Sequence, residues 1–167
     1  ADRLIEEYEA RLKAEPKNLK VLRNVAELYA QKKDFDRSLE YYERMRAFDG
    51  GADAALERAI GETQLKRFDH LMGQLDPNAP DYPQQLAQLQ SQAVGLMARL
   101  RDADITSVAC ACDPLTILYL TQLANQQGYD PEWLVVGVGF VDLDVVGQLV
   151  DNGSGGGQWE RAFGGSP

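Results

Sequence analysis

The stretch NLKVLRNVAELYAQKKDFDRSLEYYERM, from Asn18 to Met45, leaves the chain little freedom in how it folds. Leu22, Val25, Ala26 and Tyr29 recur at steps of three and four, and after the polar break QKKD the residues Phe35, Leu39, Tyr42 and Met45 do the same. A strand would alternate with a period of two; this period is close to 3.6. The spacing therefore predicts a helical hairpin, two amphipathic helices that hide their apolar stripes against one another.

The hairpin resembles a tetratricopeptide repeat, a unit of 34 residues. Leu22, Ala26 and Tyr29 match the packing positions of its first helix, Phe35, Ser38 and Tyr42 those of its second, and Pro16 stands where a preceding repeat closes. Leu4, Ile5 and Tyr8 then resemble the second helix of an earlier repeat. The pattern departs from the family at Ser38, where alanine is usual, and at Gly50, where the closing proline belongs. The resemblance spans residues 1–75 and implies a module that binds protein. It also implies a site: Lys20, Arg23, Asn24 and Glu27 correspond to positions that look into the concave groove of such repeats. A basic and amide cluster there can hold a peptide carboxylate through charge-assisted hydrogen bonds.

Beyond the break DGG at Asp49 to Gly51 the pattern loosens. Leu56, Ile60, Phe68, Leu71 and Leu75 give one long helix with no turn where a regular repeat would break, and Gly61 weakens it by roughly 1 kcal/mol relative to alanine. DPNAPDYP is a loop ending in Asp81 as a helix N-cap. Leu86, Leu89, Ala93, Leu96 and Leu100 mark a further helix. A short apolar strand over Thr106 to Cys112 follows, then Asp113 and Pro114 as a helix start, a helix over Leu115 to Gln127, Gly128 as its cap, and a strand over Leu134 to Val138. This is a β-α-β crossover, whose two strand ends share one carboxyl edge, where open α/β folds place ligands.

LVVGVGFVDLDVVG, from Leu134 to Gly147, has the order strand, turn, helix of a nucleotide-binding unit, but Asp142 stands where the third glycine of G-x-G-x-x-G belongs, and a carboxylate there repels phosphate. Residues 93–163 instead resemble the second lobe of type I periplasmic solute-binding proteins of ABC transporters, of the branched-chain amino acid class. That likeness implies a small amino-acid-like ligand facing Asp113, Thr116, Phe140 and Asp142, and an extracytoplasmic location. A complete protein of that family has two lobes of several such units, whereas one unit is present here, so no closed cleft is expected from this chain alone. The tail DNGSGGGQWERAFGGSP is expected to be loosely held with no partner strand, and the helix Tyr82 to Arg101 to cover the strands.

Charge narrows the choice of partner. Up to Ala52 there are eleven basic and eleven acidic residues, whereas from Asp102 onward Arg161 stands alone against nine acids. Nucleic acid is excluded as a ligand of that acidic half, since binding would need a basic surface. The longest apolar runs fall far short of the roughly 20 residues of a membrane span, and the acidic start ADRLIEEYEA lacks the form of a signal peptide. Asp142 ordinarily would cap a helix, and the pair it makes with Asp144 lacks the further oxygens of a calcium loop. Cys110 and Cys112 are expected as separate core thiols, His70 as a surface histidine, and Trp133 and Trp159 as packing. No nucleophile or acid–base pair is visible, and no metal or cofactor is implied. The expected fold class is α+β: a helical module of tetratricopeptide-like hairpins over residues 1–90, then a small βαβ unit over 91–167. The expected function is a non-enzymatic, protein-binding scaffold, with a solute-binding fragment of a transport system as the alternative.

Overall fold

A computed structural model of the 167-residue chain describes residues 2–49, 53–110, 112, 114–136 and 162–165. Six helices and a small parallel sheet lie among them. The chain divides into two compact units, Ala1–Arg67 and Phe68–Pro167, so the expected boundary at residue 90 lies inside a helix of the second unit. No helix among the described residues is long and apolar enough to cross a membrane.

The first unit comprises α1 (Asp2–Ala14), α2 (Leu19–Gln31), α3 (Phe35–Asp49) and the greater part of α4 (Ala54–Met72). Asn18 starts α2 by accepting the Val21 amide at 3.2 Å on its side-chain oxygen. Lys33 ends it in the left-handed region at φ 62°, and the Asp34 amide closes back onto the Tyr29 carbonyl at 2.9 Å. That closure turns the chain into α3 without glycine, at the steric cost a Cβ carries in this region. Of the stripes predicted from the period, Leu22, Val25 and Ala26 are fully buried, Tyr29, Phe35, Tyr42 and Met45 nearly so, and Leu39 half-buried. Ile5 and Leu12 of α1 and Leu56 and Ile60 of α4 complete the core.

An offset of thirty-four residues runs through these helices. Leu22 and Ala26 of α2 recur as Leu56 and Ile60 of α4, and Ile5 and Tyr8 of α1 recur as Leu39 and Tyr42 of α3. All eight are buried or packed on the same core. The pattern that loosens after Gly51 thus keeps its register through the apolar positions; what it lacks is the turn, and α4 runs on for 19 residues.

Polar side chains interlock the first three helices. Tyr29 of α2 and Tyr41 of α3 stack with ring centroids 5.7 Å apart and both donate their hydroxyls to Glu9 Oε1 of α1, at 2.9 and 2.8 Å. Arg37 lies over the Tyr29 ring and donates to its hydroxyl at 3.2 Å. Burial, reinforced by the hydrogen bond to Glu9, pushes the Tyr41 hydroxyl up to about 12.

The second unit holds the end of α4, α5 (Tyr82–Asp102), β1 (Ser107–Cys110), α6 (Pro114–Gln126), β2 (Glu132–Val136) and β3 (Ala162–Gly165). The strands lie in the order β1-β2-β3, all parallel. Val108 pairs with Trp133 and Cys110 with Val135, and these four face inward. Ser107, Ala109, Glu132 and Leu134 face outward, with the Ser107 hydroxyl donating to Glu132 at 2.9 Å. β2 begins two residues earlier than expected, because Trp133 belongs to the alternation as its fully buried anchor, and the expected end at Val138 lies outside the described residues.

Further expectations are corrected. The tail is not without a partner strand, since Ala162 to Gly165 pair with Trp133 to Val136. Cys110 and Cys112 are both in the core, as expected, with their Cα atoms 5.2 Å apart. The helix α5, expected to lie on the strands, has α6 as its main packing partner. The Tyr119 hydroxyl donates to the Gln90 carbonyl at 3.4 Å and the Gln127 amide to the Val94 carbonyl at 3.0 Å. Gly128, at φ 63°, caps α6 as expected, with the Tyr129 amide reaching back to the Ala124 carbonyl at 2.9 Å. Asp81 precedes α5 but caps no backbone amide with its side chain, accepting instead from the side-chain Nε2 of Gln85 at 2.6 Å.

Candidate functional site

The apolar stripes of α2 and α4 share one core and leave polar residues of both helices bordering it. Between them lies a groove of about 510 Å³. Arg23, Glu27, Ala30 and Gln31 of α2 line one wall; Ala55, Arg58, Ala59, Glu62, Thr63 and Lys66 of α4 line the other; Tyr42 of α3 is the remaining lining residue. The walls are rows spaced by one helical turn: Arg23, Glu27, Gln31 and Arg58, Glu62, Lys66. Each member of the second row stands thirty-five positions beyond its counterpart, so the rows carry cation over cation and carboxylate over carboxylate.

Few of these charges are neutralised within the protein. Arg23 has Asp53 at 3.8 Å. Glu27, Arg58, Glu62 and Lys66 form no ion pair or side-chain hydrogen bond among the described residues, and all four are exposed. Thr63 is committed to the fold, donating its hydroxyl to the Ala59 carbonyl at 2.8 Å. Tyr42 is only 4% exposed. Burial raises its hydroxyl above the usual phenol range, with Glu27 and Glu62 pushing the same way and Arg23 opposing them.

Of the four residues that the repeat resemblance implied, Arg23 and Glu27 line this groove. Lys20 is exposed and Asn24 half-buried, and neither is part of the lining. Sequence reasoning missed the α4 wall. Its polar residues follow no apolar period, and the signal that could have found them is the recurrence of Arg-x3-Glu from Arg23 at Arg58.

The alternative site is described at one residue. Thr116, in the first turn of α6, is fully buried and faces the core of the second unit. Asp113, Phe140 and Asp142 lie outside the described residues, as do Asp144 and Trp159. His70 is half-buried on α4, with its Nε2 3.0 Å from the Gln74 amide nitrogen. No group of three or more histidine, cysteine or acidic side chains is placed to hold a metal among the described residues. Compared with family models, curated proteins and solved structures, the chain matches none.

Proposed function

We propose that the first unit is a protein-interaction module of tetratricopeptide-like build, and that a peptide segment of its partner lies in the groove between α2 and α4. The protein acts as a scaffold and catalyses no reaction. The carrying observation is the coincidence of two registers: an offset of thirty-four residues carries the buried Leu22 to the buried Leu56, and an offset of thirty-five carries Arg23, Glu27 and Gln31 to Arg58, Glu62 and Lys66, which line the same groove. Charges on such a wall cost little while solvated and become directional contacts once a ligand excludes water. Small residues at Ala30 and Ala59 leave room for a backbone between the rows. Selection of displayed peptides against the full chain, followed by calorimetry, tests this reading. Selected peptides should lose roughly tenfold or more in affinity to the Arg58→Ala, Lys66→Ala double variant at unchanged helicity. Selected peptides indifferent to that change would refute the groove.

A second reading concerns the second unit, where the all-parallel sheet favours a small solute at the carboxyl edge. Calorimetry with a branched-chain amino acid tests it, and the absence of saturable heat would dismiss it. The fully buried Thr116 argues for that outcome.

A further inference from the structure

The groove has a chemical order along its length, and Tyr42 marks its centre. One level carries Arg23 and Arg58, the next Glu27 and Glu62, the next Gln31 and Lys66. A level is one helical turn, about 5 Å of axis. Tyr42 lines the groove together with the two carboxylates, and its hydroxyl makes no hydrogen bond among the described residues although the residue is only 4% exposed. Thr63, the other buried polar group of the lining, has its hydroxyl satisfied by the Ala59 carbonyl; Tyr42 differs in facing the groove without a partner. The charges that act on its hydroxyl, Glu27, Arg23 and Glu62, all belong to residues of the groove lining, as Tyr42 itself does.

We infer that the Glu27, Glu62 and Tyr42 level is a subsite for the ammonium group of a lysine side chain on the bound peptide. An ammonium has three N–H donors, and this level provides three acceptors: two carboxylates and one phenol oxygen. The aliphatic stem of the lysine lies along Ala30 and Ala59, whose methyl groups flank the level on either wall. The pair of arginines one turn away takes an acidic group of the same peptide, so the recognised segment carries a lysine close to a carboxylate. A purely acidic peptide, by contrast, would bring its charge against Glu27 and Glu62. The inference rests on the groove reading above and specifies its ligand.

The test is an amide-shift titration of the full chain with Nα-acetyl-lysine methylamide, set against Nα-acetyl-norleucine methylamide, which has the stem without the ammonium. The lysine compound should give saturable shifts at Ala30, Tyr42 and Ala59, with an affinity roughly fivefold or more above that of the norleucine compound. The Glu27→Gln, Glu62→Gln double variant should erase that preference, and Tyr42→Phe should reduce it by about twofold to threefold. Equal affinities for the two compounds, shifts that do not saturate, or a preference that survives the double variant would overturn the subsite. A selected peptide that depends on Arg58 and Lys66 but is indifferent to the glutamine variants leaves the groove reading standing and removes the subsite alone. If no peptide is selected and no lysine shift is seen, both readings fall.

Discussion

The two units use their polar side chains differently. In the second unit several of the described ones are aimed at backbone, beside local side-chain pairs such as Ser107 with Glu132. The Tyr129 hydroxyl donates to the Ile105 carbonyl at 2.6 Å, Tyr119 and Gln127 to carbonyls of α5, and Arg101 to the Gln127 carbonyl at 3.2 Å. The Ile105 and Gln127 carbonyls, which lie outside the helices and strands, are thereby satisfied, and the connections around β1 and α6 are held. In the first unit polar side chains meet one another, in the Glu9, Tyr29, Tyr41 and Arg37 interlock, while a second polar face is left uncommitted in the groove. A unit closed by its own backbone contacts has little polar chemistry to offer a partner; a unit with an uncommitted charged face does. That contrast is why the interaction site is assigned to α2 and α4.

The largest effect expected lies in the second unit. Trp133→Ala empties the centre of the middle strand and should cost about 3 to 5 kcal/mol in urea unfolding, a loss shared in the first unit by Tyr42→Ala. A cost below about 1 kcal/mol at either site would remove that residue from its core. Smaller, and confined to the first unit, is Glu9→Ala. It leaves two tyrosine hydroxyls without their acceptor and should cost about 1 to 3 kcal/mol; a neutral outcome would mean that water serves them equally well.

Alkaline titration sharpens the comparison, because each unit has one phenol held near 12. Tyr41 is raised by burial and then by Glu9, Tyr129 by burial alone. Both favour the protonated form in the folded state. Their contribution is therefore intact below pH 10, where the unfolded chain is also protonated, and is lost as the pH rises from about 10 to about 12. Unfolding free energy followed by denaturant at stepped pH should be flat up to pH 10 and decline beyond it. Tyr41→Phe should lessen the decline through the first unit, and Tyr129→Phe through the second. A curve unchanged by both would show that neither phenol is shifted in solution.

The smallest effect expected is a gain. Ser38 is fully buried and its hydroxyl has no hydrogen-bond partner, so Ser38→Ala should raise stability by about 1 kcal/mol, read as a higher melting temperature. A loss would show that the hydroxyl is satisfied.

What could be read from the sequence follows the same division. The period in Asn18 to Met45 named the buried residues of α2 and α3, because burial of an apolar stripe repeats every turn. The interlock could not be read, since Glu9, Tyr29 and Tyr41 are brought together by helix packing across separations of 20 and 32 residues. Ser38 could be marked as a departure from the repeat, but its missing partner is a property of the packed core. In the second unit the strand–helix–strand order was legible from apolar runs and Gly128. The pairing of Ala162 to Gly165 with β2 was not, because two glycines in four residues carry no strand signal. The α4 wall of the groove escaped for the opposite reason: it is regular, but its regularity lies in charges.

Hydrogen exchange of the full chain, with and without a selected peptide at saturating concentration, addresses the groove most directly. Protection should rise in two segments, residues 23–31 of α2 and 55–66 of α4, and stay unchanged in β1, β2 and α6. Protection gained in the strands and α6 while α2 and α4 exchange as before would contradict the assignment and move the interaction site to the second unit.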